Sequence, residues 1–289
     1  MTMIKAILKE IRVKQYTKNM LVFAAPIFGG VLFKQDVLAC TLLMFLSFSF
    51  MASAVYILND IMDREKDRQH PTKRYRPIAA GLISLTFAWT LFLLLFAIAI
   101  GIAMVVRPAL AYLLLAYFVM NIAYSLKLKH VVIIDVMIIA IGFVMRAYAG
   151  ALALGLIASE WFILCIFMLS MFLALAKRRS EMMLFLSNPS RQRKVLQDYS
   201  LELLNQMLSI VTAVSLTSYS LFALQAGTAY NDLSMMMTIP FVVYGMMRYL
   251  YLIYIKGEGG KPEAVLLHDK GILWTCILFS FVVIFLRDL

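Results

Sequence analysis

Asn59, Asp60, Asp63 and Asp67 stand within the stretch YILNDIMDREKDRQHPTKRYRPIAAG, Tyr56 to Gly81, where a long apolar run gives way to charge. If a helix continues through them, Asn59, Asp63 and Asp67 recur every four residues and share one face, with Asp60 beside them. Carboxylates so placed repel one another unless something positive lies between them. A hard divalent cation, held by a few carboxylates and by the phosphate oxygens of a substrate, is the usual solution, and Mg2+ fits best. The plainer reading is a solvated helix of alternating charge, which the interleaved Arg64, Lys66 and Arg68 permit. The next residues argue for chemistry. His70, Pro71, Lys73, Arg74, Arg76 and Pro77 make a basic loop with fixed turns, and arginine forks and lysine point charges suit phosphate oxygens. An acidic metal face followed by a basic loop is what a diphosphate leaving group requires.

Two further clusters could bind phosphate: Tyr124, Ser125, Lys127 and Lys129, and later Lys177, Arg178 and Arg179 with Glu181. Each alone is compatible with ordinary anchoring at a membrane surface. Asp135, Arg146 and Arg248 fall inside apolar runs, where charge is costly and faces a partner or a cavity. Asp135 and Arg146 are 11 residues apart, nearly a whole number of helical turns, and so share a face. They either pair structurally or line a phosphate-accessible cavity.

The elements that must position these groups are membrane helices. The 289 residues are 63% hydrophobic and 15% charged, with a mean hydropathy of +0.87, far outside globular usage. Apolar runs long enough to span the hydrocarbon core recur along the chain. They predict an all-α protein of about nine spans: Asn19–Phe33, Val37–Leu58, Leu82–Val106, Pro108–Leu126, Val131–Leu154, Trp161–Ala176, Leu203–Ala226, Met235–Ile255 and Gly271–Leu286. The amphipathic Met1–Lys18 stretch lacks the apolar core and cleavage site of a signal peptide and reads as an interfacial helix, with Lys5, Lys9, Arg12, Lys14 and Lys18 on its polar side.

Loop charges fit that count with the N-terminus in the cytoplasm. The inner segments then hold those five residues, Arg64 to Arg76, Lys127, Lys129, Lys177 to Arg179, Arg191, Arg193, Lys194, Lys256, Lys261 and Lys270; the outer ones hold Lys34, Arg107 and Arg287. The net charge of +11 is therefore a topology signal joined to an inner-face site, and nucleic-acid binding is not implied. Cys40, Cys165 and Cys276 are widely spaced within spans and read as packing residues.

The pattern Asn59-Asp60-x-x-Asp63-x-x-x-Asp67 at the end of the second span resembles the first aspartate motif of the UbiA superfamily of intramembrane prenyltransferases. The resemblance covers the chain, 1–289, as one domain. It implies a bundle of nine transmembrane helices and Mg2+ bound to a diphosphate. Where aromatic prenyltransferases carry a second acidic motif, this chain has LALAKRRSEM, Leu173 to Met182. That segment, with RVKQYTKNMLVFAAPIF from Arg12 and RYLYLIYIKGEGGKPEAVLLHDK from Arg248, looks like the decaprenyl-phosphate phosphoribosyltransferase branch.

That branch implies transfer of 5-phosphoribose from phosphoribosyl diphosphate (PRPP) to a polyprenyl phosphate in the cytoplasmic membrane, supplying a lipid-linked pentose for cell-envelope glycans. Asp60, Asp63 and Asp67, with Asn59, would hold the metal. Arg64, Arg68, Lys73, Arg74 and Arg76 would face the sugar diphosphate and its 5-phosphate. Lys177, Arg178 and Arg179 would face the lipid phosphate, with Lys14, Lys18, Tyr124, Lys127 and Arg146 as further substrate contacts. A homo-oligomer is compatible with this reading. Two other functions explain parts of the sequence: prenyl transfer to an aromatic or other small acceptor, which KRRSE disfavours, and transport, which leaves Asn59 to Arg76 without a reason.

Overall fold

The computed structural model describes residues 3–187, 194–229, 233–260 and 262–288, and within these the regular elements are all helices. Arg191, Arg193 and Lys261 lie outside the described residues. The chain starts with α1 (Met3–Glu10), a 3-10 segment (Val13–Phe23) and the short α2 (Ala24–Phe28). Then come α3 (Gln35–Met62), α4 (Arg64–Gln69), α5 (Leu85–Val106), α6 (Pro108–Leu126), α7 (Ile134–Leu154), α8 (Glu160–Ser187), α9 (Leu201–Ala229) and α10 (Ile239–Tyr251), with α11 (Pro262–His268) and α12 (Lys270–Asp288) last.

Among the described residues, seven helical stretches are long and apolar enough to cross a membrane: Gln35–Met62, Leu85–Val106, Pro108–Leu126, Ile134–Leu154, Glu160–Leu184, Leu201–Ala226 and Met235–Lys256. An eighth apolar helix, Lys270–Leu286, is shorter. The protein is thus multi-pass and all-α. The first expected span, Asn19–Phe33, is not one helix. Its opening belongs to the tightly wound 3-10 segment, Pro26 cannot donate a helical hydrogen bond, and Gly30 at φ 62 turns the chain out of α2. A helix does occupy the N-terminal stretch, but it stops at Glu10 rather than Lys18, with Arg12 just beyond at a left-handed φ of 54.

The chain divides into two compact units. One comprises residues 1–26, 32–126 and 145–156; the other 27–31, 127–144 and 157–289. In the first, Met44, Phe48, Met51 and Val55 of α3 pack with Ala99 and Ala103 of α5 and with Leu110, Leu114 and Tyr117 of α6. Between lipid-surrounded helices, small residues and polar side chains supply much of the contact. Ser47 accordingly donates to the Ala99 carbonyl at 2.7 Å. Near the charged end of α3, Ala54 and Ile57 form a second cluster with Ala6, Ile78 and Ile83. The core of the other unit is built on Phe172 and Leu175 of α8, Leu204 and Leu208 of α9, and Tyr249 and Ile253.

Candidate active site

The helical run through the acidic motif bends at Asp63. Its φ of −91 and ψ of 6 leave the α region, yet Asp63 N donates to the Asn59 carbonyl at 2.9 Å and Asp67 N to the Asp63 carbonyl at 2.8 Å. The three aspartates differ in exposure. Asp60 and Asp67 are buried, at 3% and 2% exposure, while Asp63 is more than a third exposed beside Lys66. Asp60 and Asp67 thus form a buried pair, with Asp63 at the surface.

Cations sit between that pair. Arg76 Nη1 donates to Asp60 Oδ1 at 2.9 Å and to Asp67 Oδ2 at 2.7 Å. Arg12 Nη2 lies 2.7 Å from both Asp60 oxygens, and its guanidinium rests over the Tyr56 ring at 4.4 Å. Lys73 Nζ is 3.9 Å from Asp67 Oδ1. The loop that carries Lys73 and Arg76 is shaped by His70, whose Nδ1 accepts from the backbone N–H groups of Thr72 and Lys73 at 3.2 and 3.3 Å.

Two of these groups, Arg12 and its neighbour Glu10, were not expected at the site. Glu10 ends α1 and Arg12 lies just beyond it; the helix buries Ala6 in the α3 cluster and ties Lys9 Nζ to the Tyr75 carbonyl at 2.8 Å. Glu10 is 1% exposed and lies beside Asp60. Burial first, then the Asp60 carboxylate, pushes the Glu10 carboxyl up to about 8, against the opposing pull of Arg12 and Arg76. The sequence signal for Glu10 was a single acid among the basic residues of an amphipathic stretch.

The remaining basic residues of this region divide by exposure. Arg68 Nε donates to the Ala79 carbonyl and its Nη1 to Glu65, and Arg64 pairs with Glu65 at 3.5 Å. Arg74 is exposed on the ring of Tyr75. Lys14 and Lys127 are exposed, and Lys18 and Tyr124 are half-buried. Arg146 is buried, donating through Nε to Asn19 Oδ1 and through Nη2 to the Tyr117 hydroxyl, both at 2.7 Å. It thereby pins the 3-10 segment to α7.

In the other unit, Asp135 is fully buried. Its Oδ2 accepts from Arg178 Nε at 2.6 Å and its Oδ1 from the Tyr199 hydroxyl at 2.8 Å, and Arg178 Nη1 also reaches Glu181 at 2.6 Å. The Tyr199 hydroxyl in turn accepts from Ile133 N at 2.7 Å, holding a β-branched residue at a positive φ of 69. Arg179 bonds to Asn205 Oδ1 and to the Ile253 carbonyl under the ring of Tyr254. It lines a 140 Å³ cavity with Ser180 and the Gly257–Gly259 turn. Lys177 is exposed beside this pair. Arg248, the third charge expected within a span, makes a two-pronged pair with Asp269 at 3.2 and 2.8 Å.

The signature of the UbiA prenyltransferase family matches residues 21–183, more than half of the chain and including the whole acidic motif. The chain belongs to that family. Its relatives within it include proteins named decaprenyl-phosphate phosphoribosyltransferase. The one from Corynebacterium glutamicum is 33% identical over 96% of this chain and 85% of its own length. The one from Mycobacterium tuberculosis strain H37Rv is 33% identical over 93% of this chain and 89% of its own. The solved structure of a UbiA homolog from Archaeoglobus fulgidus bound to GPP and Mg2+ shares the fold, with a TM-score of 0.72 at 19% identity over 96% of this chain and 99% of that one. This UbiA-family chain is accordingly a multi-pass membrane transferase.

The donors around Asp60 suit a hard cation: they are oxygens, and the buried oxygens of Glu10 and the Oδ1 of Asn59 have no hydrogen-bond partner. Among the described residues, no three acidic, histidine or cysteine side chains are gathered closely enough to hold a metal ion by themselves. A cation here would complete its coordination with phosphate oxygens, as Mg2+ commonly does.

Proposed function

We propose that this protein transfers 5-phosphoribose from PRPP to a polyprenyl phosphate, releasing diphosphate, in a Mg2+-dependent reaction at the cytoplasmic face of the cytoplasmic membrane. The observation that carries this reading is the near full-length match to the phosphoribosyltransferase relatives. The basic Lys177-Arg178-Arg179 run, where an acidic motif would serve a second prenyl-diphosphate metal, supports it.

In this reading Asn59, Asp60, Asp63 and Asp67 would hold the divalent cation together with the phosphate oxygens of the donor, and it would supply positive charge to the departing diphosphate. Arg76 and Lys73, already beside Asp60 and Asp67, turn to its phosphate oxygens, with Arg64, Arg68 and Arg74 around the donor and its 5-phosphate. The C1–O bond to diphosphate breaks and its electron pair leaves with the diphosphate. An oxygen of the lipid phosphate, already anionic, forms the new bond at C1. No base is needed to activate it. The donors' task is to position two polyanions and screen their repulsion. Asp135 and Glu181 hold Arg178 rigid, and Lys177 and Arg179 on the same helical turn face the lipid phosphate. Lys14, Lys18, Tyr124 and Lys127 extend the basic surface, and Arg146 acts through Asn19 in placing the N-terminal segment.

The test is to incubate the purified protein with Mg2+, ribose-labelled PRPP and a short polyprenyl phosphate. Label in the organic phase only when all three are present is the expected result. Absence of label there, with product instead from a prenyl diphosphate and an aromatic acceptor, would overturn the proposal.

A further inference from the structure

Glu10 is a buried acid with no assigned work. It ends α1, a helix whose other contacts explain its docking without it: Ala6 in an apolar cluster, Lys9 on a backbone carbonyl, and Arg12 on Asp60 just beyond. Both Glu10 oxygens are buried and neither has a hydrogen-bond partner. A buried carboxylate without a donor is costly, so such an atom calls for a ligand or a proton.

No neighbouring cation donates to it, and the Asp60 carboxylate beside it can reach it only through a shared proton. Arg12 is spent on the two oxygens of Asp60, and Arg76 is divided between Asp60 and Asp67. Three carboxylates, Glu10, Asp60 and Asp67, thus share two guanidinium groups and the more distant Lys73. Asn59 Oδ1, one residue from Asp60, is a third buried oxygen without a partner. When a diphosphate enters, its oxygens compete for Arg76, and the acidic side of the site loses part of its compensation. Oxygen-only donors facing an incoming polyanion select a hard divalent ion, which supplies the positive charge that the arginines then divide.

We propose that Glu10 of α1 is a further carboxylate of the cation site, joining Asp60 in holding a divalent ion of the Mg2+ or Mn2+ class that enters with the diphosphate. This rests on the cation reading of Asp60 given above. The amphipathic N-terminal helix is then part of the active site, and its docking decides whether the site is complete.

The experiment is Mn2+ binding to the full-length protein in detergent with inorganic diphosphate, read from the electron paramagnetic resonance signal of free Mn2+. Glu10→Gln, which keeps shape and removes charge, is expected to weaken Mn2+ binding about 10- to 100-fold, with an unfolding midpoint no lower than that of the native protein. Native Mn2+ affinity in Glu10→Gln, together with a loss in Asp60→Asn, would overturn the proposal and leave the cation site standing. Native affinity in both variants would remove the cation reading itself, and this inference with it. If Glu10→Gln does not fold, Glu10→Asp decides: it keeps the charge but shortens the reach, so weakened binding supports the assignment and native binding overturns it.

Discussion

Arg76 bonds to Asp60 and Asp67 at once, and Arg74, two residues away, lies exposed on Tyr75. The pair gives a sharp test at the residue scale. Arg76→Gln is expected to lower kcat/KM for PRPP by about 100- to 1000-fold, the usual loss when a donor to developing anionic charge is removed, whereas Arg74→Gln stays within a few-fold of native in the same assay. Asp269 supplies a pH test. The hydrogen bond from Arg248, with a further one from Ile272 N, holds its carboxyl below the usual carboxylate range. A depressed acid stabilises the fold above its ordinary value and loses that contribution as pH falls through the depressed one. Thermal unfolding midpoints should therefore drop between about pH 5 and pH 2 by more in the native protein than in Asp269→Asn. Asp60, Asp67 and Arg76 were legible in the sequence because they fall in one dense motif. Glu10 and Arg12 were not, because Asp60 lies some 50 positions further along the chain and the docking of α1 that brings them to it leaves no pattern in the sequence.

Among the elements, the 3-10 segment Val13–Phe23 depends on a close approach by α7. A Cβ added at Gly150 would lie 2.0 Å from the Val22 carbonyl oxygen, so glycine alone fits there. Gly150→Ala should cost roughly 1–3 kcal/mol by overpacking, seen as a lower unfolding midpoint, and should also cut activity by displacing Asn19 and the Arg146 bond. The α7–α8 pair in the other unit hangs on Asp135 and Arg178, both fully buried. Asp135→Ala leaves a buried cation and is expected to destabilise by about 3–5 kcal/mol, while Asp135→Leu with Arg178→Leu should recover much of that loss. Hydrophobic run length located the long helices well. It misread Asn19–Phe33, because hydropathy does not register Pro26, the glycine turn at Gly30 or the tight winding before them. Helical spacing likewise placed Asp135 and Arg146 on one face without showing that they bond to different partners.

At the scale of the molecule, the proposed function has a cation and a donor binding together at an acidic site held by arginines. Mg2+ alone should leave the unfolding midpoint nearly unchanged, because no three metal-binding side chains are gathered among the described residues. Mg2+ with diphosphate should raise it, by the linkage that lets a ligand of the folded state stabilise that state. Chelation should abolish transfer without unfolding the chain. Composition alone revealed the polytopic class, since 63% hydrophobic residues leave no other solvent than lipid. The deciding measurement offers PRPP and a prenyl diphosphate in one reaction, with polyprenyl phosphate and an aromatic acceptor both present, and identifies the organic-phase products by mass spectrometry. The account predicts phosphoribosylated polyprenyl phosphate and an untouched aromatic acceptor. A prenylated acceptor beside unmodified lipid phosphate would contradict it.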